Sequence, residues 1–412
     1  MSLHTMSPFD PLAAGLDTIQ YLGLAPFLRA SIAGVDIRSS VDQMLSHTDS
    51  GNPQVLMNLS IALQCLNQKE LGLALQQEAL KLERSYRLAA RIQPTRLRLL
   101  VLVTQGSIQS NTPLECLLEH SDIELIFHYV FAGADLLAHV PQHDVLFVGI
   151  ADSDEHRELL NALDRELTGW AQPVLNRPRY LHHTGRDMAS ALLCGIERLL
   201  MPPTVRVSRA QLEALVAGQI PLSKLIAAAD FPLILRPLGS QAGADLHRIA
   251  NLDEVALYLS DVDGPDFFMA PFIDYSDATG FFKKIRIALI AGQPFVCHMA
   301  ISTEWMVHYV NAGMYQEEWK RSEEARFMQA FDHFVDKHSR ALHAIAERMQ
   351  LDYLVMDCAE TRNGDLLLFE IDHGGVVHAM DLENLFPYKN AHIQKAQKAF
   401  SELLYSLAPK PA

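Results

Sequence analysis

The sequence predicts an α/β protein with a helical front segment, and three observations predict it. Short apolar runs that read as buried strands alternate with helical stretches from Arg98 onward. A two-helix pattern precedes them, and an acidic β-hairpin ends the series of strands.

The front segment, residues 1–95, opens on an apolar helical stretch around Thr18 to Ile32, followed by a polar break at His47 to Asn52. From Asn52 to about Arg91 the pattern is two helices. Leu56, Leu59, Ser60, Leu63, Gly72 and Ala79 stand at the spacing of the large and small packing positions of a tetratricopeptide repeat, and the segment resembles one such unit. One unit cannot bury its faces alone. It must therefore pack on the next domain, or dock a protein or peptide partner or a second copy of the chain as a homodimer.

At Gln93-Pro94 the character changes. Arg98 to Thr104 (RLLVLVT), Ile123 to Tyr129 and Val145 to Ile150 (VLFVGI) are strand-like runs, separated by helical Thr112 to His120 and by Leu136 to His139. Beyond Pro178 come a helix at Asp187 to Leu200, a Pro202-Pro203 break and a helix from Ser208. Phe231 to Arg236 (FPLILR) is a strand that runs into a glycine-bearing loop. Phe267 to Ile273 and Ile285 to Ile290 are further strands, the second ending at Ala291-Gly292. A long helix over about Glu323 to Arg348 leads into the hairpin, and a last helix covers about Ala391 to Leu407.

The hairpin, Leu351 to Asp372, carries the strongest chemical signal. Asn363-Gly364 reads as a type I′ turn, whose central residues both need φ > 0. Arg362 then pairs with Asp365, Asp357 falls opposite Glu370, and Val355 opposite Asp372. Alternation puts Leu354, Met356, Cys358, Leu367, Phe369 and Ile371 on the core face and Asp357, Glu370 and Asp372 on the other. Directly opposed carboxylates, with Cβ atoms about 5 Å apart, repel. Something positive belongs between them, and an all-oxygen donor set suits a hard cation such as Mg²⁺ with phosphates completing its shell.

Composition narrows the classes. Hydrophobic residues make up 49% of the 412 and charged ones 20%, enough for a core and several domains. The formal net charge of −15 argues against a nucleic-acid or anionic-membrane binder. No apolar run of about 18 residues and no signal peptide is read, which places the protein in the cytoplasm. Five cysteines, Cys65, Cys116, Cys194, Cys297 and Cys358, lie far apart without C-x-x-C spacing, so neither a disulfide framework nor a zinc site is indicated.

Pro237-Leu-Gly-Ser-Gln-Ala-Gly243 follows the FPLILR strand, and its two glycines let the loop backbone approach a ligand closely. A strand ending in a basic residue, a glycine loop, an apolar strand about 30 residues on, then Asp, thirteen residues, Glu and two residues later Asp, resembles the ATP-grasp superfamily of carboxylate–amine ligases. Within it the likeness is to glutathione-synthetase-like and ribosomal-protein-modifying ligases, particularly a group with a tetratricopeptide-like front segment.

The resemblance covers about Arg186 to Asp372. It implies a preceding α/β domain at 96–185 and a two-lobed module at 186–410 that closes on ATP. Arg186 and Arg236 stand where the family has phosphate-contacting basic residues, usually Lys; Arg keeps the charge but changes the contact geometry. Gly239, Ser240, Gln241 and Gly243 match the phosphate-covering loop. Met269, Ala270, Phe272 and Ile273 fall at the hinge that reads the adenine edge, without the Glu often found there, and Asp274 or Asp277 falls at the ribose. Lys284 and Arg286 match basic residues near the transferring phosphate. Asp357, Glu370 and Asp372 match the Mg²⁺ ligands, the last replacing a common Asn. His298, Trp305 and His308 lie where substrate contacts are found.

The function implied is ATP-dependent joining of a carboxylate, on a small molecule or peptide, to an amine through an acyl phosphate. The alternatives are a kinase of the same fold and a non-catalytic nucleotide-binding scaffold.

Overall fold

A computed structural model describes residues 20–46, 51–133, 135–227, 229–240 and 243–408. The chain divides into two units: one comprises the segment up to Leu181 with Leu351–Leu354 and His373 onward, the other His182–Gln350 with Val355–Asp372.

In the first unit, α1 (Ala25–Ile32) and α2 (Arg38–Leu45) lead to a helical hairpin, α3 (Pro53–Cys65) and α4 (Lys69–Leu82). Asn52 caps α3, its side chain accepting the Gln54 N–H at 2.8 Å ahead of a first-turn proline. The two helices touch at Gly72, where a Cβ would stand 2.7 Å from Gln64 Cγ and 2.8 Å from the Ser60 carbonyl oxygen. The small position expected there is therefore a contact between backbones. The second helix does not reach Arg91: after Leu82 the chain becomes an edge strand, β1 (Ser85–Leu88), in which Tyr86 is buried and Arg87 exposed.

The continuously apolar runs form β2 (Leu97–Val103), β3 (Ile123–Tyr129) and β4 (Val145–Val148), with α5 (Leu114–Leu117) between the first two. Strands buried on both faces suit a parallel ladder, and β2 pairs parallel with both β3 and β4. After α6 (Arg157–Glu166), β5 (Val174–Leu175) adds a further parallel edge and α7 (Pro178–Leu181) ends the segment. The sheet order is β1-β3-β2-β4-β5, with β1 antiparallel. The helix expected over Thr112–His120 shrinks to α5, because the Thr112 N–H bonds the Gly149 carbonyl at 2.7 Å and holds the chain extended. Leu136–His139, expected helical, is a turn.

The helical hairpin belongs to this unit. Gln76 Oε1 accepts the Gly106 N–H at 2.8 Å and Gln64 Oε1 the Ile108 N–H at 3.1 Å, so the helices cap the loop that leaves β2. Residues on both sides of the expected 95/96 boundary fall within the first unit.

The second unit starts near the expected boundary at 185/186, with α8 (Arg186–Leu192), which stops well before Leu200 where Gly195 and Arg198 take positive φ. It continues through β6 (Leu199–Leu200), β7 (Val205–Ser208) and α9 (Arg209–Val216). Ser208 and Gln211 close a capping box at the start of α9. Then come β8 (Leu233–Pro237), β9 (His247–Ile249), α10 (Leu252–Asp261) and β10 (Asp266–Pro271). These strands form an antiparallel sheet, β7-β10-β8-β9, over a core of Leu233, Leu235, Tyr258, Phe267 and Met269.

β11 (Phe282–Ile290) and β12 (Gln293–Ser302) make a hairpin at Ala291-Gly292. The single long helix expected next is two, α11 (Glu318–Gln329) and α12 (Phe331–Met349), parted at Ala330. β13 (Tyr353–Glu360) and β14 (Leu366–Asp372) follow, and the second sheet runs β12-β11-β13-β14-β6. The chain then returns to the first unit, where α13 (Lys389–Leu407) places Phe400 against Phe147 and Tyr353 at ring distances of 6.1 and 5.3 Å.

The acidic hairpin reaches the expected pairing by an unexpected route. Asp357 lies opposite Glu370 and Val355 opposite Asp372. The turn, however, is a three-residue loop: the Thr361 N–H bonds the Asp365 carbonyl, the Gly364 N–H bonds that of Thr361, and only Gly364 of the Asn-Gly pair has positive φ, at 76°. That shifts the register by one residue, and a bulge between Asp357 and Cys358, opposite Phe369, shifts it back. The bulge also corrects the expected faces, since Phe369 leaves the core and stacks near Tyr275 at 4.8 Å.

Candidate active site

A cleft of about 220 Å³ in the second unit is lined by residues from both of its sheets. Ile234 and Arg236 on β8, and Phe268 and Ala270 on β10, contribute one wall. Lys284 on β11 and Leu368, Phe369 and Glu370 on β14 contribute another, with Arg186 at the start of α8. The segment after β12 adds Trp305, Met306, Val307 and His308. Apolar and aromatic groups dominate, with the charges drawn from a few positions.

Those charges are paired. Lys284 and Arg286 stand two apart on β11 and so share a face. Both engage Asp357: Lys284 Nζ lies 2.9 Å from one carboxylate oxygen, while Arg286 donates from Nε at 2.8 Å and from Nη2 at 3.1 Å. Asp357 is 2% exposed. Burial by itself would raise its pKa, but the two cations hold the carboxyl well below the usual range. Arg286 responds in the opposite sense: burial works against its charge, Asp357 outweighs burial, and the guanidinium is held protonated.

Glu370, opposite Asp357, is bound by the Arg186 guanidinium, which also donates to the Phe369 carbonyl. Burial and Asp357 push Glu370 up while Arg186, Lys284 and Arg286 pull it down, with a net lowering. The positive partners that opposed carboxylates require are therefore side chains of this same unit.

Arg236 is a buried cation, 7% exposed, that donates to the Ser240 hydroxyl at 3.1 Å and to the Ser240 carbonyl. Burial, then the nearby Arg186, brings its pKa down to about 10. Among the described residues it has no carboxylate partner as close as that of Arg286 or Arg186, which leaves it suited to an incoming anion. Ser240 closes a turn from Pro237, in which Gly239 has φ 75°. Gly243 has φ 76°, and a Cβ there would stand 2.7 Å from His308 Nε2, so the glycine is needed by both backbone and neighbour. Gln241 lies outside the described residues.

The remaining candidates divide. Ala270, Phe272 and Ile273 line the cleft, whereas Met269 is buried in the core of the first sheet of this unit, its side chain on the opposite face from Ala270. Asp277 is occupied by its own turn, taking N–H groups of Thr279 and Phe281 and an ion pair with Lys283 at 3.3 Å. Asp274 takes the Ser276 N–H. Trp305 and His308 line the cleft, with Trp305 edge-on to Phe272 at 5.6 Å; His298 instead packs on Tyr309 at 4.7 Å. Burial and then Lys284 lower the His308 pKa, so the imidazole is neutral near pH 7.

Sequence reasoning missed Phe369, Tyr275 and Thr204 as lining residues. Alternation assigned Phe369 to the core and only the bulge moves it. Tyr275 and Thr204 sit in irregular segments with no periodicity to read.

Among the described residues no group of three or more His, Cys, Asp or Glu side chains is gathered to hold a metal ion. Mg²⁺ needs less, since it usually takes one or two carboxylates and fills its shell with phosphates and water. Glu370 and Asp372, two apart on β14, fit that donor chemistry, with Asp357 opposite. The hard oxygens suit Mg²⁺ in kind.

The chain is similar to several solved ligases. With D-alanine–D-alanine ligase from Bacillus anthracis it shares 12% identity over 74% of this chain and 99% of that one, at a TM-score of 0.43. With the VanG D-Ala:D-Ser ligase from Enterococcus faecalis the values are 13%, 76%, 99% and 0.46. With a RimK domain ATP-grasp protein from Sphaerobacter thermophilus they are 14%, 75%, 99% and 0.41. No protein-family model and no curated protein sequence matches the chain.

Proposed function

We propose that the protein is an ATP-dependent ligase that joins a carboxylate to an amine through an acyl phosphate. The observation that carries this reading is that one cleft is lined both by apolar groups and by several cations. Ile234, Phe268, Ala270 and Leu368 suit a flat heterocycle, and Arg186, Arg236 and Lys284 suit a polyphosphate.

The chemistry follows from the charges. A substrate carboxylate oxygen attacks the γ-phosphorus, the bond to the β,γ-bridging oxygen breaks, and ADP leaves. The amine then attacks the acyl carbon, inorganic phosphate departs, and the nitrogen loses a proton. Arg236 and Lys284 stabilise the anionic phosphoryl oxygens during transfer, as fixed positive charges aimed where negative charge develops. Arg286 acts through Asp357, holding it ionised. Glu370 and Asp372, with Asp357, would hold Mg²⁺, which when bound neutralises phosphate charge and orients the transferring group. The apolar walls exclude the water that would hydrolyse the acyl phosphate.

The test is nucleotide binding by calorimetry, followed by a screen of amino acids and short peptides for ADP and phosphate release. A ligase releases phosphate only when both a carboxylate and an amine are present. A kinase instead leaves a stable phosphorylated product, and that product would displace this reading. Failure to bind ATP at all would remove both.

A further inference from the structure

A second polar feature lies in the first unit, away from the chemistry above. Glu115 is 5% exposed in the short helix after β2. One of its carboxylate oxygens accepts the Leu24 N–H at 3.1 Å; the other, Oε2, has no hydrogen-bond partner among the described residues. A buried carboxylate oxygen left in that condition costs about 1–3 kcal/mol or more unless a proton, a water or a cation completes it.

The residue lines a cavity of about 60 Å³ bordered by the rings of Tyr21, Phe127 and Tyr129. The amide side chains beside it are already engaged. Gln64 and Gln76 accept backbone N–H groups of the loop after β2, and Asn111 both donates to and accepts from Thr104 at 2.8 Å. A buried water needs two to four polar partners and would find Glu115 with the hydroxyls of Tyr21 and Tyr129. A cation finds the carboxylate together with three aromatic rings, whose faces attract positive charge. The volume, several times that needed by one water, admits a small group of a few heavy atoms.

We propose that this cavity binds a small ammonium group, with Glu115 supplying the counter-charge and Tyr21, Phe127 and Tyr129 the aromatic walls. The ring cluster is preformed, since Tyr21 lies 6.0 Å from Phe127 and 5.2 Å from Tyr86, which in turn lies 5.9 Å from Tyr129. Ligand binding therefore needs no rearrangement of the sheet. The loop Gln105–Ile108, which contributes to the lining, is half-buried.

The probe is methylammonium chloride, titrated into the full chain at pH 7.5 against NaCl at equal ionic strength. The expected result is saturable stabilisation that NaCl does not reproduce, lost in Glu115→Gln, where the amide keeps the Leu24 contact and removes the charge. On the wild-type protein the same stabilisation should vanish below about pH 5 as Glu115 takes up a proton, which keeps the test decisive should the variant fail to fold. Equal responses to methylammonium and NaCl, or stabilisation that persists in Glu115→Gln or at pH 4.5, overturn the proposal. None of these outcomes bears on nucleotide binding by the second unit.

Discussion

Arg286 grips both carboxylate oxygens of Asp357, from Nε at 2.8 Å and Nη2 at 3.1 Å, while Lys284 approaches at 2.9 Å. The acid is almost fully buried, so its charge is tolerated only because these cations are in place. Arg286→Met leaves one cation where two stood, and should destabilise the protein by about 3 kcal/mol, as for a buried pair that loses a partner. Urea unfolding with an unchanged m-value checks it. A shift under about 1 kcal/mol would show that Lys284 alone suffices.

Glu370 and Arg236 should respond to substitution in different ways. Glu370→Gln keeps the shape and releases Arg186, so the fold should survive and turnover of ATP should fall by at least a hundredfold. Arg236→Ala should weaken ATP binding by about 2–4 kcal/mol, the effect of losing a charge-assisted contact inside a closed site. Calorimetry at fixed Mg²⁺ and a steady-state assay separate the two. Unchanged ATP affinity in Arg236→Ala would remove that residue from the site.

The two glycines of the loop after β8 share a backbone conformation but not a neighbourhood. No described residue outside its chain neighbours lies within 4 Å of a Cβ at Gly239, whereas one at Gly243 meets His308. Gly239→Ala should therefore cost only the left-handed strain of about 1–2 kcal/mol. Gly243→Ala should add displacement of His308 and lower nucleotide affinity as well. Melting temperatures and ATP titrations of the pair provide the comparison, and equal ATP affinities would show that His308 moves freely.

Burial raises Glu115 from the ordinary 4.5 to about 6, against the Leu24 N–H, which lowers it. A carboxyl raised on folding binds its proton more tightly in the native state, so its stabilisation is complete below pH 4.5 and is lost as pH rises through 6. The difference of about 1.5 units corresponds to roughly 2 kcal/mol. Burial lowers the His128 pKa to about 4, which adds stability as pH rises over the same range, so the decline is read as the difference between wild type and Glu115→Gln in denaturant unfolding from pH 4 to 7.5 in low-ammonium buffer.

Much of the strand framework was legible because buried strands announce themselves as apolar runs. Ile123–Tyr129 matches its sequence expectation end to end. The facing of Lys284 and Arg286 followed from spacing alone, and so did the pairing of Asp357 with Glu370. In the latter case two local irregularities cancel: the looser turn at Gly364 and the bulge at Phe369 each displace the register by one residue, in opposite senses. Neither leaves a periodic trace. Short edge strands such as β5, β6 and β9 are set by tertiary pairing and not by their few residues, and they were not visible. Nor was the identity of the partners of Asp357 and Glu370, since those ion pairs span 71 and 184 positions of sequence.

The closing helix has a consequence for biosynthesis. Phe400 seals a ring cluster with Phe147 and Tyr353, so the first unit lacks part of its interior until α13 has left the ribosome. The second unit is inserted within the first and all its residues precede His373. The later-encoded unit is therefore able to mature first, while the sheet of the first unit waits for the segment that carries Phe400. A nascent chain halted after Asp372 would present a finished second unit and an open, apolar first one, the kind of surface that holding chaperones recognise.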